Sequence, residues 1–198
     1  MSSLEVALRR LCIELVDARL RFALIGGLAV SVRTVPRFTR DVDIAVALDE
    51  DAEAEALVHD LRLKGYSVLA LIEQDAVSRL ATVRLQPPKE SGGGLVLDLL
   101  FASSGIEYEI VESAETLEVV PGLTIPVALT GHLIALKVLS RDDRTRPQDV
   151  SDLRALLARA TPEELTRARE ALRLIQSRGF HRGRELMAML DALIAEDD

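Results

Sequence analysis

The chain has 198 residues, 48% of them hydrophobic, which is enough for one sizeable core, and its formal net charge of −8 argues against bulk electrostatic binding to nucleic acid. One cysteine, Cys12, excludes an internal disulfide, and no apolar run approaches the roughly 18 residues that a membrane span needs. The first residues lack a basic stretch followed by an apolar one, so no secretory signal is expected, and the cytoplasm is the expected compartment.

Residues 4–20 carry the period of an amphipathic helix, with Leu4, Leu8, Leu11, Leu15 and Val16 on one face and a capping box from Ser2 to Glu5 at its start. Cys12 falls in that apolar pattern as a buried thiol. Phe22 to Ile25 is a short strand that runs into Gly26-Gly27, and Leu28 to Thr34 reads as a helix ended by Pro36. Asp41 to Ala47 alternates as a strand. Asp49 is placed to cap a helix over 50–64, stopped by Gly65. Further strands are expected at 66–72 and 80–85, then a loop over 87–94 with three glycines at its end. Leu95 to Phe101 is an apolar strand with one charge, Asp98. A helix at 106–114 and two short strands at 117–120 and 123–127 follow. From Leu129 the period is helical, over 129–140, 147–159, 162–177 and 182–195, and Thr161-Pro162-Glu163-Glu164 is a strong helix start. The pattern predicts an α+β fold in two parts: a sheet domain with an N-terminal helix over 1–128, and a helical region over 129–198 packed on it.

The chemistry concentrates in the sheet part. Side chains on a strand alternate faces, so Asp41 and Asp43 point the same way, roughly 6–7 Å apart, while Val42, Ile44 and Val46 face a core. Two carboxylates on one strand suit a hard cation such as magnesium. The glycine pair lets backbone N–H groups approach a phosphate. Asp98, alone among apolar neighbours, needs a cation, a positive partner or a position facing a cleft. Sharing metal with Asp41 and Asp43 meets that need, and three carboxylates around two ions about 3.5–4 Å apart match in-line phosphoryl displacement. Each feature alone has a plainer reading: a solvated Asp-x-Asp, a turn, a salt-bridge partner. Their conjunction favours a site.

Gly26-Gly27-Leu28-Ala29-Val30, Arg37-Phe38-Thr39-Arg40-Asp41-Val42-Asp43 and the later lone Asp98 resemble the nucleotidyltransferase fold shared by DNA polymerase beta and kanamycin nucleotidyltransferase. They are most similar to the minimal nucleotidyltransferases of the AbiEii/AbiGii toxin group, whose helical motif is resembled by Leu136-Lys137 and Arg146-Pro147-x-Asp149-x-x-Asp152-Leu153. The resemblance implies a nucleotidyltransferase-like mixed sheet with flanking helices, followed by a C-terminal helical bundle. It implies that Asp41, Asp43 and Asp98 are catalytic: Asp41 and Asp43 would bind magnesium, two ions being expected, and the nucleotide phosphates, and Asp98 would complete the metal site or act as base. Gly26 and Gly27 would cradle the triphosphate. The reaction implied is transfer of a nucleoside monophosphate from an NTP to an acceptor hydroxyl, with tRNA or a protein side chain as acceptor and a cognate antitoxin as partner. Where many relatives carry Gly-Ser, Gly27 offers only its backbone, and Leu28 stands where many of the toxin group have threonine. These departures set a non-catalytic nucleotide-binding module beside the enzyme, and an antibiotic-modifying nucleotidyltransferase is the other alternative.

Lys137 sits in an almost wholly apolar helix. It staples two helices through Asp149 or Asp152, which share a helix face, or meets a nucleotide phosphate while one of them orients it, and the two roles are compatible. Arg33, Arg37 and Arg40 surround the glycine loop and are candidates to neutralise a triphosphate; Arg37 ranks above Arg40, which adjoins Asp41 and tends to the opposite face. Two further arginine sets, Arg141, Arg144 and Arg146 and then Arg178, Arg182 and Arg184 with His181, are each a solvated face or an RNA contact. His59, His132 and His181 show no metal-ligand spacing.

Overall fold

The computed structural model describes residues 2–37, 39, 41–74, 79–91, 94–142 and 147–197. Arg40, Arg144 and Arg146 lie outside the described residues. The first part of the chain runs α1 (Ser3–Asp17), β1 (Phe22–Ile25), α2 (Gly26–Arg33), β2 (Asp41–Val46), α3 (Asp51–Leu63), β3 (Ser67–Gln74), β4 (Arg79–Gln86), β5 (Val96–Leu100), α4 (Glu107–Glu112), β6 (Glu115–Val120) and β7 (Leu123–Val127). Helices α5 (Thr130–Ser140), α6 (Pro147–Leu157), α7 (Pro162–Ser177) and α8 (Leu186–Asp197) follow.

The strands form one mixed sheet in the order β3-β4-β5-β2-β1-β7-β6. The two parallel pairs, β2 with β5 and β1 with β7, are central, and the pairs toward both edges are antiparallel. All four residues of β1 are buried, as expected of a short central strand covered on both faces. In β2, Val42, Ile44 and Val46 are fully buried, while Asp41 is exposed and Asp43 half-buried. The fold is α+β, with helices flanking the sheet and a helical C-terminal part. One hydrophobic core joins the parts, taking in Leu24 of β1, Ala29 of α2, Leu133 of α5 and Leu172 of α7. Helix α5 carries this junction, packing on α2, α6, α7 and α8.

Three details depart from the sequence pattern. Val16 is exposed, and the buried stripe of α1 is Ala7, Leu8, Leu11, Cys12 and Leu15; a step of one residue turns about 100° round the helix, which carries Val16 past the buried side. Asp49 does not cap α3. Glu50 does, in a reciprocal box with Glu53, and the Asp49 N–H donates to the Glu53 carboxylate. The last helix begins at Leu186 rather than near 182, because Arg182 and Gly183 both adopt left-handed φ, of 55° and 69°, which a right-handed helix cannot include.

Candidate active site

Register builds the site. The β1–β2 pairing sets Ile25 opposite Asp43, the β2–β5 pairing sets Asp43 opposite Asp98, and the β4–β5 pairing sets Asp98 opposite Arg84. Residues directly opposite in a sheet share a face, so Ile25, Asp43, Asp98 and Arg84 form one row across four strands. The row faces a cleft of about 430 Å³, within the usual range of small-molecule sites. Gly26, Gly27 and Lys137 line it as well, and Leu133, Leu136 and Leu139 of α5 give it an apolar wall. Asp41 lies two residues before Asp43 on the same face of β2, exposed and outside the residues described as lining the cleft.

Helix α2 starts at the cleft. Its N-cap, Ile25, has an apolar side chain and makes no capping hydrogen bond to the first backbone N–H groups of the helix. Gly26 has a φ of +66° and lies hard against Asp43: a Cβ built there would stand 1.9 Å from Asp43 Oδ2. The close approach of backbone to carboxylate therefore depends on that glycine. Above Gly27 lies Arg37, whose Nη2 would be 2.6 Å from a Cβ at that position.

Arg37 joins a second polar group. Its Nε and Nη2 donate to the two carboxylate oxygens of Asp152 at 2.8 and 2.7 Å. Lys137 Nζ lies 2.7 Å from Asp152 Oδ2 and 2.6 Å from Asp149 Oδ1, and Ser140 Oγ donates to Asp149 Oδ2 at 3.3 Å. Asp149 and Asp152 are both buried. Burial alone would raise the Asp152 carboxyl, but hydrogen bonds from Arg37 and Lys137 outweigh it and hold it below the usual carboxylate range. Lys137 thus pairs with both aspartates and lines the cleft, while Asp149 is linked to the cleft through Lys137 and Ser140.

A family model described as nucleotidyl transferase AbiEii toxin, type IV toxin–antitoxin system, matches residues 7–197. The chain belongs to the AbiEii family. It is a nucleotidyltransferase by family and by fold. Two solved structures share the architecture: an antigenic nucleotidyltransferase-like protein from Paracoccidioides brasiliensis, at 20% identity and a TM-score of 0.54 over 97% of this chain and 94% of that one, and the antibiotic-resistance factor ANT(2'')-Ia, at 20% identity and a TM-score of 0.51 over 99% and 92%. No curated protein matches the chain significantly by sequence.

Among the candidates for phosphate contact in this AbiEii chain, Arg33 is committed elsewhere. It donates to the carbonyls of Ala128 and Val127 and to Glu115, tying α2 to the end of β7. Arg178 binds Gly105 O and Glu109, and Arg184 binds Leu139 O and Arg141 O. Arg182 is different: it lines the cleft and donates to Ser103 O at 3.3 Å.

Arg84 is the site residue that the sequence did not disclose. It holds Asp98 through Nε to Oδ1 at 2.9 Å and Nη2 to Oδ2 at 2.7 Å. The hydrogen bond to Asp98 raises the guanidinium above its ordinary value, and the charges of Asp98, Asp41 and Asp43 add to this. A signal was present: Arg84 is the lone cation of Leu80–Leu85, in the strand before the one whose lone charge is Asp98. As donors, Asp41 and Asp43 suit a hard divalent cation, being all oxygen. Among the described residues, though, no three such side chains converge on a common point as a metal cage would require, and both oxygens of Asp98 are turned to Arg84.

Proposed function

We propose that this protein transfers a nucleoside monophosphate from an NTP to an acceptor hydroxyl in a magnesium-dependent reaction, with tRNA or a protein side chain as acceptor, and that it acts as a toxin held in check by a cognate antitoxin. The observation that carries the reading is the row of Asp43 and Asp98 beside the N-terminal start of α2, in one cleft with Lys137.

The N–H groups at Gly26, Gly27 and the start of α2, with the positive end of the helix dipole, would receive the triphosphate. Lys137, oriented by Asp149 and Asp152, and Arg37 above Gly27 would balance its charge. Asp41 and Asp43 would hold the cation. Bound there, magnesium supplies Lewis-acid charge at the transferring phosphoryl group and eases loss of the acceptor proton. The acceptor oxygen forms a bond to the α-phosphorus, the bond from that phosphorus to the β-bridging oxygen breaks, and pyrophosphate leaves. The proton of the acceptor hydroxyl passes to a carboxylate of the row or to water. The wall of Leu133, Leu136 and Leu139 excludes water from one side and offers apolar surface to a base.

The test is incubation with each labelled NTP and magnesium, against total RNA, cell protein and an aminoglycoside, for wild type and Asp43→Ala. Label should pass to RNA or protein with wild type and not with Asp43→Ala, while the variant stays folded by circular dichroism. Transfer surviving in Asp43→Ala would defeat the assignment of that carboxylate. Tight NTP binding with no transfer to any acceptor would make the protein a nucleotide-binding module, and transfer to the aminoglycoside alone would move it to the antibiotic-modifying class.

A further inference from the structure

Asp98 is the buried member of the acidic row, and Arg84 is its wet partner: the aspartate side chain is 10% exposed and the arginine side chain 42%. The pair lies in direct cross-strand register, so the backbone delivers the guanidinium to the carboxylate edge-on. A bidentate fork is the stronger form of ion pair, and it uses both oxygens of Asp98. Three carboxylates on two neighbouring strands repel one another in the absence of a cation. Arg84 lines the same cleft as Asp43 and Asp98, and the charges of Asp41 and Asp43 also bear on it. A divalent ion using Asp98 needs oxygens that the guanidinium already holds.

We propose that Arg84 is the internal counter-cation of the acidic row and a positioning residue for Asp98: it holds that carboxylate in the metal-free protein, and a divalent ion reaches Asp98 only by exchange with it. The inference rests on reading the row as a metal site. It makes metal binding at Asp98 weaker than an unopposed set of carboxylates would give. It also keeps the row assembled when no metal is present, so that Asp98 is already oriented when nucleotide arrives.

Wild type, Arg84→Gln and Arg84→Lys are titrated with Mn²⁺ in the absence of nucleotide, and free ion is read by electron paramagnetic resonance. Arg84→Gln removes the competitor and leaves the acidic charge uncompensated, so Mn²⁺ should bind roughly tenfold or more tightly than to wild type. Arg84→Lys keeps the charge without the fork and should fall between them. The gain should vanish when Arg84→Gln is combined with Asp98→Asn, which is the signature of exchange at that carboxylate. Without metal, Arg84→Gln should melt below wild type and recover most of the difference in saturating Mn²⁺. If Arg84→Gln fails to fold without metal, folding restored by Mn²⁺ carries the same meaning and Arg84→Lys supplies the titration. Equal Mn²⁺ affinity in wild type and both single variants would overturn the exchange while leaving the metal site standing. A gain that persists in the Asp98→Asn background would overturn it too. Absence of Mn²⁺ binding in every variant would overturn both the exchange and the metal reading.

Discussion

At Gly26 two independent demands coincide. The backbone is left-handed, with φ +66°, and a Cβ would stand 1.9 Å from an oxygen of Asp43. Either something moves or the residue stays glycine. The left-handed conformation alone costs a non-glycine residue about 1–3 kcal/mol when surrounding structure enforces it. The clash adds a displacement of the Asp43 carboxylate by about an ångström or more, and a misplacement of that size at a reacting centre costs on the order of a hundredfold in rate. Gly26→Ala should therefore lose most nucleotide transfer while losing only modest stability, and paired kinetics and thermal melts of the purified variant would check both. Gly27 makes a useful contrast. A Cβ there meets the end of the Arg37 side chain, 2.6 Å away, and a flexible guanidinium gives way more easily than a carboxylate fixed on a strand. Gly27→Ala should keep more activity than Gly26→Ala, and equal losses would mean that the approach of backbone to Asp43 is not what matters.

At the scale of elements, caps and alternation carry most of the information. Thr161 accepts from the Glu164 N–H, and Pro162 opens α7, as the local sequence reads. Helix α7 packs on α5, which carries Lys137, so the cap supports the site at one remove. Thr161→Ala should cost about 1 kcal/mol in urea unfolding and leave transfer by the folded protein unchanged. The alternation of Asp41 to Val46 and the lone charge in Leu95 to Phe101 disclosed two carboxylates of the row from sequence, because face and burial follow from a period of two. Arg84 stayed hidden for a physical reason. Its role depends on β4 lying beside β5 in a register that sets residue 84 opposite residue 98, and pairing and register belong to the sheet rather than to either strand. The same holds for Arg33: its position suggested phosphate, but the two carbonyls it satisfies come from residues 94 and 95 positions away. Local period also overran the true start of α8, since nothing in a helical pattern warns that Arg182 will adopt left-handed φ.

The whole molecule is acidic, with a net charge of −8, yet the cations it brings to the cleft are Arg84, Lys137 and Arg182, with Arg37 beside them over Gly27. On the function proposed above, a polyanionic nucleotide would be met by local positive charge inside an otherwise repelling field, which would favour a small triphosphate over nonspecific binding of long nucleic acid. Global stability carries a second electrostatic signature, at His132. That side chain, on α5, is 6% exposed, with Nδ1 3.4 Å from Ser113 Oγ. Burial lowers its pKa from 6.5 to about 4; the charge of Arg167 acts in the same direction and Glu109 only partly opposes them. The folded protein therefore keeps the ring neutral over a range in which the unfolded chain binds a proton. Stability from this group is complete above about pH 6.5, falls as pH drops toward about 4, and is flat below that. The loss reaches about 2 kcal/mol by pH 5 at one pKa unit per 1.36 kcal/mol. Asp152, whose carboxyl is held below the usual range, loses its contribution only at lower pH, so the two effects separate. Urea unfolding at pH 7.5 and 5.0 should show the drop in wild type and a much smaller one in His132→Gln. The variant should be less stable than wild type at pH 7.5 through imperfect packing, so the slope rather than the absolute value is decisive. A wild type equally stable at both values would mean that His132 is hydrated enough to titrate normally, and that the interface of α5 with α7 is looser than its burial indicates.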